Sequence, residues 1–189
     1  MAMNKAYLTC GRDSGSDECF TPRYGVVPIV KHLQAKGFKT IWCPFDAEHS
    51  QYVRVLKDAG FNVVHSHIGD GRDFFEYEPE QYDAIVSNPP FSLKTKILKR
   101  CYDLDKPFAL LLPQNSLQAI SRVNMYMEHG LEYLGFDRRI CFYTNFNFDS
   151  YNNQNHFASG YFCKGVLPKS MQFEKLNPMQ EPYINEEQF

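Results

Sequence analysis

The chain is predicted to adopt an α/β fold with a mainly parallel sheet, helices on both faces and an antiparallel hairpin at one edge. Three observations predict it. From residue 39 onward, apolar runs of strand length alternate with segments of helical periodicity. The separations between successive apolar runs suit parallel strands joined through helices. The last two apolar runs, in contrast, follow one another with no helical segment between them.

The elements follow in order. The stretch 11–18 (GRDSGSDE) reads as a loop, so residues 1–20 are expected to lie outside the regular structure. A helix is predicted next, with Thr21 as N-cap, Pro22 at its first position and Gly37 as its stop. Pro28 either kinks this helix or starts a second one. Residues 39–44 (KTIWCP) read as a buried strand. Residues 50–60 carry a helical stripe of Tyr52, Val53, Val55, Leu56 and Ala59, closed by Gly60. Strands are predicted at 61–67 (FNVVHSH) and 82–87 (YDAIVS). Leu93, Ile97 and Cys101, spaced at i, i+4 and i+8, predict a helix over 93–104. The continuous apolar run 108–113 (FALLLP) is a strand, and a short helix ends near Gly130. Strand candidates at 131–136, 138–143 and 157–163 complete the chain, the last two as the edge hairpin. The polar tail from Pro168 to Phe189 is expected to wrap the surface.

At 189 residues, with 43% hydrophobic residues, the chain can fill one core, and no linker or repeat divides it. A single domain over 1–189 is expected. The net charge of -2 argues against a molecule that binds nucleic acid through its overall charge, so any such contact needs a local basic patch or a partner. The cysteines are scattered, without a CxxC pair, which points to neither a zinc site nor a disulfide framework. His65 and His67 share one face of a strand but lack a third ligand nearby, so no metal is expected. No signal-peptide profile and no membrane-length apolar run are present, and a cytoplasmic protein without membrane contact is expected.

In open parallel sheets, ligands sit at the carboxyl ends of strands where the strand order reverses. The motif with the most chemistry lies at such an end: Ser87-Asn88-Pro89-Pro90-Phe91, directly after YDAIV. Two consecutive prolines cannot continue the strand and lack backbone donors, so they lock a rigid loop with outward carbonyls. Asn88 adds an amide oxygen, and Phe91 an aromatic face. An exocyclic amine needs this set: its two N–H groups are gripped by the Asn88 side chain and the Pro89 carbonyl while Phe91 stacks on the ring. Asn-Pro is also a common turn dipeptide, and the same residues would serve merely to end a strand.

With these residues the chain resembles the amino-methyltransferases, whose fourth motif reads [DNS]PP[YFW]. In particular it resembles the small adenine-N-6 DNA methyltransferases of phages and prophages, over most of its length from DECFTP to about FASGYFC. The resemblance implies a Rossmann-like methyltransferase fold, S-adenosyl-L-methionine as cofactor and adenine in DNA as acceptor. It implies catalytic roles for Asn88, Pro89, Pro90 and Phe91. Thr21 and Pro22 would hold the methionine end of the cofactor. Pro44 and Phe45 match the family's first motif, but Cys43 stands where its acid belongs and both of its glycines are missing. Asp46 would supply the carboxylate from a shifted position. A glycine-poor loop approaches a ligand less closely, so cofactor affinity is where the chain departs from the pattern. Asp73 would accept from the cofactor's adenine amino group and Phe74 would pack on that ring, although a surface turn with a buried Phe reads the same. His67 would take the place of the acid that normally binds the ribose hydroxyls.

A target base in a duplex must leave the stack to be reached. Phe146, Phe148 and Tyr151 are candidates for stacking on it, and equally for a surface loop or an oligomer contact. Lys94 and Lys96 are candidates for phosphate contact, and equally for a solvated helix face. No separate target-recognition domain fits the length, so sequence specificity would come from loops, a homodimer or a partner subunit. Competing readings are the same chemistry on RNA or on a protein glutamine, and a non-catalytic nucleic-acid-binding subunit.

Overall fold

The computed structural model describes residues 20–143 and 157–178. Four helices, α1 (Arg23–Ala35), α2 (Gln51–Asp58), α3 (Lys94–Asp103) and α4 (Ile120–His129), surround one sheet. Its strands are β1 (Thr40–Cys43), β2 (Asn62–His65), β3 (Ala84–Ser87), β4 (Phe108–Pro113), β5 (Glu132–Phe136), β6 (Ser159–Lys164) and β7 (Met171–Glu174), in the order β2-β1-β3-β4-β6-β5-β7. The β2-β1-β3-β4 block is parallel. β6 runs antiparallel to both β4 and β5, and β7 is parallel to β5. Among the described residues the sheet is therefore parallel except for β6.

Adjacent residues of β6 show that the sheet is covered on both sides. Successive strand side chains point to opposite faces. The Tyr161 hydroxyl meets the Tyr52 hydroxyl of α2 at 3.0 Å and donates to the Gly25 carbonyl of α1 at 3.0 Å. The Phe162 ring lies instead beside Tyr126 of α4, with centroids 6.3 Å apart. Helices α1 and α2 thus share one face, with α4 on the other. α3 joins α4 there, because its Tyr102 packs edge-on against Phe108, which lies on the Phe162 side of the sheet.

The ends of the elements have local causes. In α2, the Ser50 hydroxyl accepts from the Tyr52 amide at 3.1 Å, an N-cap. α1 closes through Gly37, whose φ of +74° suits the left-handed turn that ends helices. α1 starts at Arg23, so Pro22 rather than Thr21 occupies the N-cap position. Pro28 leaves α1 continuous: it deprives the Tyr24 carbonyl of a helical donor, but its ring is buried. The strand β1 is fastened at its start by Asp83, which accepts from the Lys39 and Thr40 amides at 2.6 and 2.8 Å. Those two donors hold the Asp83 carboxyl below its usual range.

Four expectations are corrected. The stretch 138–143 forms no strand; only Tyr143 pairs, in an isolated antiparallel bridge with Phe20. The antiparallel element is not an edge hairpin, because β6 lies inside the sheet between β4 and β5. The edge on that side is β7, within the segment expected to be a surface tail, and β2 is the opposite edge. Leu93 also falls outside α3, in a 3-10 turn over Phe91–Leu93. No helix among the described residues is long and apolar enough to cross a membrane.

β6 crosses β5 closely at Gly160, where a Cβ would lie 2.5 Å from the Tyr133 hydroxyl and 2.8 Å from the Leu134 carbonyl oxygen. The second atom is backbone and cannot swing away. Gly160→Ala is expected to destabilise the protein by roughly 1–3 kcal/mol, read as a lower midpoint in urea denaturation.

Candidate functional site

Strand β1 pairs with β2 on one side and β3 on the other, so the chain reverses its direction of travel across the sheet at β1. A cavity of about 450 Å³ opens at the carboxyl ends of these strands. Its walls come from the loop after β1 (Pro44 to Ser50), the segment after β2 (His67 to Phe75) and the loop after β3 (Asn88 to Leu93), with Tyr52 from α2. The Phe20–Tyr143 bridge supplies the remaining wall, next to Thr21.

One side of the cavity is aromatic. Phe74 is 2% exposed and packs on Trp42 of β1, with centroids 5.3 Å apart. Phe45 tilts against Phe74 at 4.9 Å, and Phe75 meets it edge-on at 5.7 Å. The Arg100 guanidinium lies 5.4 Å from the Phe74 ring centre and adds a cation–π contact. With Ile68, these rings offer an apolar slot for a flat heterocycle. Polar groups border the slot. Asp73 accepts the Phe75 amide on Oδ1 at 2.9 Å, a turn that holds its carboxylate at the cavity wall. His67 accepts the Gly69 amide on Nδ1 at 3.0 Å, so the neutral ring carries its proton on Nε2 and is a donor there.

Asp46 lies at the junction of two loops. Its Oδ1 accepts from the Ser50 hydroxyl and its Oδ2 from the Ser87 hydroxyl. Burial raises its carboxyl to about 6, while the two hydroxyls and the nearby His67 and His65 act in the opposite direction. Cys43 is fully buried, and burial followed by the Asp46 charge pushes its thiol well up. It belongs to the core and presents no acidic group to the cavity.

The expected residues divide as follows. Thr21, Pro44, Phe45, Asp46, His67, Asp73, Phe74, Asn88, Pro89 and Pro90 converge on the cavity. Pro22 is buried without lining it. Phe91 also lies away from it: the ring is 1% exposed and edge-on to Phe142 and Phe157, at 6.1 and 5.6 Å. The apolar core takes this ring, so it braces the Asn-Pro-Pro loop from behind and offers no face for stacking. The Lys94 ammonium donates to the Phe91 carbonyl at 3.1 Å and fixes the same turn, whereas Lys96 is exposed. Phe146, Phe148 and Tyr151 lie outside the described residues. His65 is held by Glu48 at 2.8 Å, and among the described residues no three His, Cys, Asp or Glu side chains cluster as metal ligands.

Sequence reasoning missed Phe20, Tyr143, Tyr52, Ile68 and Leu93 as lining residues, and the Ser50–Asp46–Ser87 link. Phe20 and Tyr143 carry no signal, because their meeting depends on a contact across most of the chain. Neither the N-cap role of Ser50 nor its bond to Asp46 was read from the sequence.

No protein-family model matches the chain, and no curated protein shows significant sequence similarity to it.

Phe45 is only half-buried yet forms the exposed side of the aromatic slot. If the slot takes a purine ring, Phe45→Ala is expected to weaken adenosine binding about tenfold. Calorimetry with adenosine checks this, and an unchanged affinity would place the heterocycle elsewhere.

Proposed function

We propose that this chain is an S-adenosyl-L-methionine-dependent methyltransferase that modifies the exocyclic amino group of adenine in DNA. The observation that carries the reading is convergence. An Asn-Pro-Pro loop, an aromatic slot and the side chains of Thr21, Asp73 and His67 come from separate parts of the chain and line one cavity. The sheet is consistent with it too, with a parallel block and a reversal of strand order at β1, where open parallel sheets take their ligands.

The residues present fit the cofactor. At about 450 Å³ the cavity falls within the ~300–1,000 Å³ usual for small-molecule sites. Phe45, Phe74, Phe75 and Ile68 would enclose its adenine, and Asp73 would accept from the ring's amino group. His67 would donate to a ribose hydroxyl, and Thr21 would face the methionine end. When bound, the cofactor supplies an electrophilic methyl group on a sulfonium.

The chain's own contribution is orientation. The Asn88 side chain and the Pro89 carbonyl accept the two N–H groups of the target amine and turn its lone pair toward the methyl donor. The prolines keep these acceptors rigid, and Phe91, packed against Phe142 and Phe157, prevents the loop from collapsing. Preorganised acceptors of this kind act without reorganising during the reaction. No general base is required, since the proton can leave after transfer. The acceptor base would have to leave its stack to reach the cavity. With a net charge of -2, binding to DNA relies on local groups such as Lys96 or on a partner.

The test is methyl transfer from radiolabelled cofactor to unmethylated genomic DNA, with total RNA in parallel, followed by nucleoside mass analysis. Methyladenine in DNA is the expected product. Label in RNA alone would move the substrate, and no label together with no cofactor binding would favour a non-catalytic subunit. Asn88→Ala is expected to lower kcat by roughly 100-fold or more with cofactor affinity nearly unchanged. Retained turnover in that variant would remove Asn88 from its role.

A further inference from the structure

Asp46 sits where the two halves of the cavity meet, and both of its oxygens are engaged by the protein. Oδ1 takes the hydroxyl of Ser50, the residue that caps α2 and closes the loop after β1. Oδ2 takes the hydroxyl of Ser87, the last residue of β3 and the neighbour of Asn88. Ser87 is 0% exposed and Asp46 7% exposed, so the bond between them does not compete with bulk water, while the Ser50 bond is part-buried. The carboxylate thereby ties the backbone on the cofactor side to the backbone that aims Asn88 and Pro89.

We propose that Asp46 is a positioning residue that fixes the distance between the bound methyl donor and the amine-gripping loop, through its paired serine hydroxyls. The proposal rests on the methyltransferase reading. Its force comes from what the arrangement costs. A carboxylate this deeply buried is held at the expense of solvation, offset by the two hydroxyl donors and by His67 and His65. Among the described residues no Lys or Arg is paired with it. A purely structural position would be served by a neutral side chain.

The pH dependence follows. The Asp46 carboxyl is raised to about 6, above its unfolded value. Its protonated form is therefore favoured in the folded state, and that stabilisation is lost as pH rises through about 6. The ionised form that accepts both hydroxyls is the less stable and the better positioned one. Protonation turns one oxygen into a donor, so one serine must release or reverse its bond. The groups facing the carboxylate are Cys43 from β1, His65 and His67 at the end of β2, Tyr52 from α2 and Tyr161 from β6.

The experiment compares wild type, Ser87→Ala and Asp46→Asn in the full chain. It measures cofactor Kd, kcat at saturating cofactor from pH 5 to 8.5, and Tm over the same range. For Ser87→Ala, kcat is expected to fall about tenfold with Kd within about threefold of wild type. For Asp46→Asn, Tm at pH 8 should equal or exceed that of wild type, while kcat falls and its acid limb near pH 6 disappears. His65→Gln should retain that limb. Wild-type transfer with unaltered kcat in Ser87→Ala would overturn the proposal. So would a parallel loss of Tm and kcat in Asp46→Asn, which marks a structural role. A wild type that binds no cofactor and transfers methyl to neither DNA nor RNA would overturn the methyltransferase reading itself.

Discussion

The site depends first on how Trp42 is held. Its indole is fully buried on β1, between β2 and β3, and its N–H donates to the Ser66 hydroxyl at 3.0 Å, just past β2. Phe74, Tyr77 and Tyr82 pack around the same ring, with centroids 5.3, 6.2 and 5.1 Å away. One side chain thus joins β1, the exit of β2 and the irregular segment that leads into β3. That segment has little regular hydrogen bonding of its own, and aromatic packing gives it a fixed shape. Asp73 and the aromatic slot are positioned as a result. The lone tryptophan of the chain is in this sense the mould against which one half of the cavity sets.

Much of the fold was legible because the signals were local. β1, β3 and β4 are apolar runs buried on both faces, which is how strands of a covered parallel sheet read. α2 announced itself by its apolar stripe and the glycine that closes it. β7 escaped notice because its burial alternates between exposed and half-buried, with Met171 and Phe173 turned outward. It is fixed by register with β5 and by Phe173 lying over Gly135, neither of which leaves a trace in a polar stretch. The apolar stretch 138–143 misled in the opposite sense. Ile140 and Phe142 are buried by packing, Ile140 against Gly25, rather than by joining the sheet.

The candidate site was legible where rigid residues sit at strand ends. Asn88-Pro89-Pro90 and Pro44-Phe45 are short, conformationally restricted and adjacent to clear strands, so their placement follows from the topology. Phe91 shows the limit of such reasoning. An aromatic side chain beside a cavity can turn inward or outward, and the presence of Phe142 and Phe157 decided for the core. The Asp46 link lay deeper still, since it joins residues 41 positions apart through side chains that have no shared periodicity.

The place of β6 carries a consequence for how the chain acquires its shape during synthesis. β5 does not touch β4; it reaches the sheet only through β6, which follows it in sequence. Until residues 159–164 have emerged, the six buried residues of β4 present an open, apolar border with unpaired backbone groups. A nascent chain can assemble the β2-β1-β3-β4 block early, yet it must carry that sticky margin, with β5 undocked, until the reversed strand slots in. The cavity mouth is delayed in the same way, because its Phe20–Tyr143 wall pairs an early segment with a late one. Partial synthesis would leave a sheet prone to self-association and a pocket missing one side. Covering that margin during synthesis is therefore a condition for the yield of the protein, separate from the stability of the finished fold.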